Sequence, residues 1–135
     1  MYKNILVPVA LDHNANFEKA VQAAQALKSD EGSITFLYVS EPLYAPVSQY
    51  VPADVLEDNR NQALSELKAL AEGVKGAKPK MLSGSPGITI TEYAKDNDVD
   101  LIVIASHRPG LSDYFLGSTA ARVVRHAGCA VHVVR

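Results

Sequence analysis

The chain has a single cysteine, Cys129, so no disulfide can close within it and no cysteine-based zinc site can form. A lone thiol suits a reducing compartment. Long apolar runs are missing too. The stretch from Ile5 to Leu11 is broken by Pro8 and is too short for a signal h-region, and no small-residue cleavage site follows it. Leu101 to Ala105 falls far below the roughly 20 residues that span a bilayer. The expectation is a soluble, cytoplasmic protein with no membrane partner. Nor is there an excess of one charge. Thirteen basic against 15 acidic residues leave a formal charge of −2, which recruits neither nucleic acid nor an anionic surface.

Several motifs are absent. No Gly-Lys-Ser or Gly-Lys-Thr ends a Walker A loop, and residues 8 to 14 contain no glycine for a Gly-x-Gly-x-x-Gly turn. A P-loop NTPase and a Rossmann dehydrogenase are thereby disfavoured. His-x-Gly-His and the nucleophile elbow Gly-x-Ser-x-Gly are missing as well. Histidines 13, 107, 126 and 132 do not fall at metal-ligand spacing. Cys129 lies in an apolar setting where a small buried hydrophobe is its natural role; only His126 offers the cation a reactive thiol needs. No internal repeat or low-complexity tract occurs.

What is present is an ordinary globular composition, 47% hydrophobic and 21% charged, in 135 residues. That length makes one domain, residues 1–135, able to bury about two thirds of its unfolded surface. Lys3 to Ala10 is a continuous apolar run of the kind buried on both faces. Asn14 or Asn16 can cap a helix with Phe17, Ala20, Val21, Ala24 and Leu27 on one stripe, ended by Asp30-Glu31-Gly32. Ser33 to Val39 is a second buried strand. Residues 40 to 52 carry three prolines and break regular structure; so long a connection serves as a flap, a lid or a dimer contact. Ala53 to Glu72 is a long helix with Leu56, Ala63, Leu64, Leu67, Leu70 and Ala71 inward. Pro79 to Leu82 is a short strand, and Gly84-Ser85-Pro86 opens a helix to Lys95 with Ile88, Thr91 and Ala94 inside. Leu101 to Ala105 is a buried strand, a helix starts near Gly117, and Ala130 to Val134 is the last strand.

Five apolar strands alternating with four helices predict parallel pairing and helices on both faces. The fold class is α/β, a doubly wound five-stranded parallel sheet of the Rossmann-like type. Ligands of such sheets lie outside the carboxyl ends of the strands, where the winding reverses. Pro8 to Asp12, Val39 onward, Gly84 to Gly87 and Ser106 to Ser118 are the segments placed there. The last of these runs from a strand end to a helix start at Gly117, Ser118 and Thr119, where free N–H groups and the helix dipole attract anions. His107 and Arg108 add positive charge. The same residues also suit a plain Gly-Ser helix cap with a surface arginine, and the residues alone leave both readings open.

The blocks NILVPVALD, GSPGITITEYA, ASHRPGLSDYFLGS and VVRHAGCAVHVVR, in this order over essentially the whole chain, resemble the universal stress proteins of the UspA superfamily. The loop wording is similar to a nucleotide-binding subgroup with Ser-His-Arg-Pro. The resemblance implies an adenine-nucleotide-binding fold of the alpha-hydrolase-like kind and ATP or AMP as ligand. It places Pro8, Val9, Ala10 and Val39 at the adenine and ribose, and Gly84 close to the base. Ala105, Ser106, His107, Arg108, Gly110, Gly117, Ser118 and Thr119 would hold the phosphates. Departures are Ala105 and Arg108 in place of two glycines, a loop shorter by one residue, and Ala10 where the family carries an aspartate. Asp12 is the one residue it leaves for the ribose and for magnesium, reached through the nucleotide.

With no evident general base at the phosphates, the reading is a regulatory binder with little or no hydrolysis. A nucleotide-free stress-response interaction module and a slow Mg-dependent ATPase using Asp12 are the alternatives. The resemblance further implies that the last strand lies at a sheet edge. Its valines 131, 133 and 134 then favour pairing with a second copy, giving a homodimer that can build to a tetramer and is read by a protein partner.

Overall fold

In the computed structural model, which describes residues 1–11, 17–42, 49–106 and 116–135, the apolar runs become strands and the stripes become helices. The elements are β1 (Tyr2–Pro8), α1 (Phe17–Leu27), β2 (Lys28–Ser40), α2 (Ala53–Glu72), β3 (Ala77–Ser83), α3 (Pro86–Asp96), β4 (Leu101–Ala105), α4 (Ser118–His126) and β5 (Ala130–Val134). All pairings are parallel, in the order β3-β2-β1-β4-β5. The strands are apolar along their length because both faces are covered. Ile5, Val7, Ile34, Phe36, Leu101 and Val103 point to one core with Ala20, Val21 and Ala24 of α1 and Leu67 and Ala71 of α2. Leu6, Leu37, Ile102 and Ile104 point to the other, with Ile90 and Ala94 of α3 and Ala120 and Val123 of α4. The alternation is the ordinary period of two. Winding runs outward from β1 to β3 in one direction and from β4 to β5 in the other. The reversal falls between β1 and β4.

Several expected boundaries shift. The first strand covers Tyr2–Pro8, so Ala10 lies beyond it, and the proposed caps Asn14 and Asn16 lie outside the described residues. Asp30-Glu31-Gly32 does not end α1, which stops at Leu27. Lys28 already pairs with Tyr2, and the register then jumps to Asn4 with Ser33, so these residues form an irregularity within β2. Gly32 is required there. A Cβ on it would lie 2.8 Å from Lys28 Cγ and 2.9 Å from the carbonyl of Tyr2.

Leu56 was expected inside and is exposed, as is every residue from 53 to 62. Twenty helical residues reach about 30 Å, more than the seven of β3 can back, and the N-terminal half of α2 outruns the sheet. In α3 the buried positions are Gly87, Ile90 and Ala94, while Ile88 is exposed and Thr91 half-buried. Steps of three drift by about 60° each around a helix, so of the 88–91–94 stripe only Ala94 reaches the core. Gly87 also admits α4, since a Cβ there would meet the Arg122 side chain at 2.6 Å.

Cys129 is half-buried against the second core. Burial, aided by the negative charge of Asp100, pushes its thiol pKa up, which suits a packing residue rather than a nucleophile.

β1 and β4 are joined at their amino ends by Asp100. Its carboxylate accepts the backbone N–H of Lys3 and of Asn4, each at 2.9 Å, and its own N–H donates to the Asn4 carbonyl at 3.0 Å. Asn4 Nδ2 in turn donates to the carbonyl of Asn97 at 2.7 Å, just before Asp98 turns the chain at φ 54°. Bonds to a charged acceptor contribute more than neutral ones. Asp100→Ala therefore lowers the unfolding free energy by about 1–3 kcal/mol, read as a lower urea midpoint at unchanged slope. An unchanged midpoint would show that this clamp adds nothing.

Candidate functional site

At the carboxyl ends of the strands, where winding reverses, the structure opens into a cleft of about 710 Å³. That lies within the 300–1,000 Å³ typical of small-molecule sites, and such crevices are the usual ligand positions in open α/β sheets. The end of β1 supplies Pro8, Val9 and Ala10, and that of β2 supplies Tyr38 to Glu41. Ala105 and Ser106 follow β4, and Gly117, Ser118 and Thr119 open α4. Phe17 and Ala20 of α1 close one side; Pro86 and Ile90 of α3 close the other.

Two bonds hold the rim of the cleft. Val9 N–H donates to the Leu37 carbonyl at 2.8 Å, carrying the pairing of β1 and β2 past the last rung. The N–H of Gly84 donates to the Ser40 carbonyl at 3.0 Å and ties β2 to the turn after β3. On the far side, Ser106 is a bracket. Its N–H and its Oγ both donate to the Val134 carbonyl, at 3.0 and 3.3 Å, and its own carbonyl accepts the N–H of Gly117 at 2.9 Å. A Cβ on Gly117 would stand 2.9 Å from that carbonyl oxygen. Only glycine lets α4 begin so close to the end of β4.

The start of α4 has no side-chain cap. The first N–H groups of a helix have no intrahelical acceptor, so those after Gly117 are left to water or to a ligand, at the positive end of the dipole. Chemically, this corner suits an anion, and the middle of the cleft, walled by Val9, Val39, Pro86 and Ile104, suits a flat apolar body.

Of the residues expected from sequence, Pro8, Val9, Ala10, Val39, Ala105, Ser106, Gly117, Ser118 and Thr119 line this one cleft. Gly84 is not among its lining residues. It adopts φ +148°, and a Cβ on it would meet Thr89 Oγ1 at 2.6 Å, so its missing side chain makes room for α3; Pro86 is what the third turn presents. Asp12, His107, Arg108 and Gly110 lie outside the described residues. Ser40, Glu41 and Pro86 fall within the flagged segments from Val39 onward and from Gly84 to Gly87 without having been singled out; Phe17, Leu37, Tyr38, Ile90, Ile104 and Ala120 lie outside every flagged segment. The available signal was their position, near a strand end or in the first turns of a helix. Phe17 is further held by the ring of Phe36, 5.4 Å away and tilted by 58°. No group of three His, Cys, Asp or Glu side chains among the described residues could hold a metal ion, and no described helix is long and apolar enough to cross a membrane.

Comparison with known proteins follows the same lines. Universal stress protein G of Escherichia coli O157:H7 is 34% identical over 143 aligned positions that cover all of both chains. Among solved structures, universal stress protein UspA from Lactobacillus plantarum is 30% identical and superposes with a TM-score of 0.74, over 99% of this chain and 98% of that one. A universal stress protein crystallised in complex with cAMP is 25% identical with a TM-score of 0.69, over 99% and 97% of the two chains. The profile of the universal stress protein family matches residues 1–135. With the five-stranded parallel sheet and the block order already described, the match assigns the chain to that family: it is a universal stress protein family member.

Proposed function

We propose that this protein is a regulatory binder of an adenine nucleotide, ATP or AMP, with little or no hydrolysis. The observation that carries the reading is the uncapped start of α4 facing a cleft at the winding reversal, with Gly117, Ser118 and Thr119 in its wall. The relative crystallised with cAMP supports an adenine nucleotide as the ligand class. Phosphate sits at the α4 corner, and the base lies between the apolar walls near Val9 and Val39. No described residue stands as a general base beside that corner, which favours binding over turnover. Nor do the described residues form a cage for magnesium; Asp12, outside them, is the contact proposed to reach it through the nucleotide. Arg108, in the Ser-His-Arg-Pro loop outside the described residues, is the cation proposed for the phosphates from the family resemblance.

The protein also works as a homodimer in this reading, read in turn by a protein partner. The two edges of the sheet differ. β3 carries Pro79, which has no N–H to offer, between the exposed Lys78 and Lys80. β5 carries half-buried Val131 and Val133 and exposed Val124 of α4 close by in sequence, with no comparable guard. Antiparallel pairing of two β5 strands satisfies both copies with one patch.

Ser118→Ala removes a hydroxyl donor and lowers ATP affinity about tenfold, since a hydrogen bond to a charged group is worth roughly 1.5–3 kcal/mol. Titration calorimetry reads this, and unchanged affinity removes the corner as the phosphate site. Gly117→Val is a poorer probe, because its Cβ would strike the Ser106 carbonyl and displace the loop as well as the ligand.

For Arg108→Ala, loss of ATP affinity exceeds loss of adenosine affinity; equal losses show that it does not read phosphate. Val133→Pro cannot join a ladder and yields folded monomers by light scattering. A wild-type monomer at tens of micromolar would overturn the dimer.

A further inference from the structure

Glu41 is the only formally charged side chain among the described residues that line the cleft. It follows the last residue of β2, and the backbone beneath it is fixed. Ser40 pairs with Ser83, and the Ser40 carbonyl holds the N–H of Gly84 at 3.0 Å. Glu41 itself is exposed, and it has no hydrogen-bond or ion-pair partner among the described residues. A carboxylate at a rigid strand end, facing a cleft and engaged with nothing, is available to a ligand.

The cleft has two poles. The start of α4 follows β4, and Glu41 follows β2, with β1 between them. Two strand spacings separate these ends by about 10 Å. One pole presents N–H groups and a positive dipole, the other a negative acceptor. An anion is drawn to the first and repelled from the second. The group that suits the second is a donor, and the donors on a nucleoside next to its base are the ribose hydroxyls. The dinucleotide-binding sheets offer a parallel, not an identity: there an acidic residue binds the free ribose 2′-hydroxyl and a nearby arginine accommodates a 2′-phosphate. Ala10, lining the same cleft, brings no carboxylate, so among the described residues the ribose contact expected of Asp12 falls to Glu41.

We propose that Glu41 is a specificity-determining residue whose carboxylate accepts hydrogen bonds from the free 2′ and 3′ hydroxyls of the bound nucleotide and turns away nucleotides that carry a further phosphate group on the 2′ or 3′ oxygen. The proposal rests on the reading of the cleft as an adenine-nucleotide site. It orients the ligand, with the 5′-phosphate at α4 and the ribose diol at the end of β2. It also divides adenine nucleotides into two classes: 5′-phosphates with a free diol are accepted, and 3′,5′-bisphosphates are rejected. Rejection needs no clash, because like charges placed together in a cleft suffice.

The test is calorimetric titration of AMP and of adenosine 3′,5′-bisphosphate into the wild type, Glu41→Gln and Glu41→Lys. Because Glu41 is exposed, both variants keep the fold, checked by circular dichroism. The wild type prefers AMP by about thirtyfold or more. Glu41→Gln keeps the shape, binds AMP about three- to tenfold more weakly and narrows the preference; Glu41→Lys reverses it. Ser118→Ala weakens both ligands and leaves their ratio unchanged, which separates the phosphate pole from the ribose pole. A ratio that is the same in the wild type and both Glu41 variants, with AMP still bound, overturns the role of Glu41 and leaves the nucleotide site standing. Failure of the wild type to bind AMP or ATP at all overturns the site, and the assignment of Glu41 with it.

Discussion

Everything in this molecule follows from strands that are apolar on both faces. Ile5, Leu6 and Val7 are consecutive and all fully buried, and so are Ile102 and Val103. Such strands need cover above and below, and only crossover helices on both sides of a parallel sheet supply it. Once α1 and α2 occupy one face and α3 and α4 the other, the chain has to wind in two directions from the middle. β1 and β4 then become neighbours although about a hundred residues of chain lie between them, and their carboxyl ends part into a crevice. The cleft is thus a by-product of how the core is covered. The Asp100 clamp closes the opposite, amino end of the same pair of strands, where no opening is wanted.

The chemistry of the cleft is mostly backbone chemistry. Uncapped N–H groups of α4, the bracket of Ser106 on Val134 and the bare Cα of Gly117 shape one end. Side chains with a formal charge are nearly absent from its described wall. The described wall thus presents backbone dipoles and apolar shape, with Glu41 as its one formal charge. Of the two positions where the family's glycines are replaced, Ala105 lines the cleft at the exposed tip of β4, and the tight backbone approach is made at Gly117.

The sequence made the fold legible because period-two and helical patterns survive in single elements. α2 from Ala53 to Glu72 and β4 from Leu101 to Ala105 fall where the patterns put them. Errors arose where tertiary context overrode local pattern. Asp30-Glu31-Gly32 reads as a helix stop, yet pairing of Lys28 with Tyr2 draws it into β2. Leu56 reads as core, but no strand lies beneath that part of α2. At the site, residues on strand ends were legible from the winding rule alone. Tyr38 and Phe17 were not, because their membership depends on β2 and α1 lying next to β1, a neighbourhood that no local pattern records. Gly84, placed near the base by the family resemblance, is not among the lining residues, and a Cβ on it would meet Thr89 Oγ1 at 2.6 Å. Asp12 and the loop from His107 to Gly110 stay with the sequence argument, outside the described residues.

The unequal edges of the sheet have a consequence for growth. A sheet with two open edges can add copies without end, and that is the geometry of a fibre. Here Pro79 and its flanking lysines occupy the β3 edge, and only β5 is left unguarded. Strand addition at β5 would bury that edge in both partners and leave the two β3 strands as the new outer rims. Those rims are already blunted. If two copies join through β5 as proposed, the chain is a monovalent unit: its sheet would extend by a single step, to ten strands, with one proline and two lysines at each outer rim.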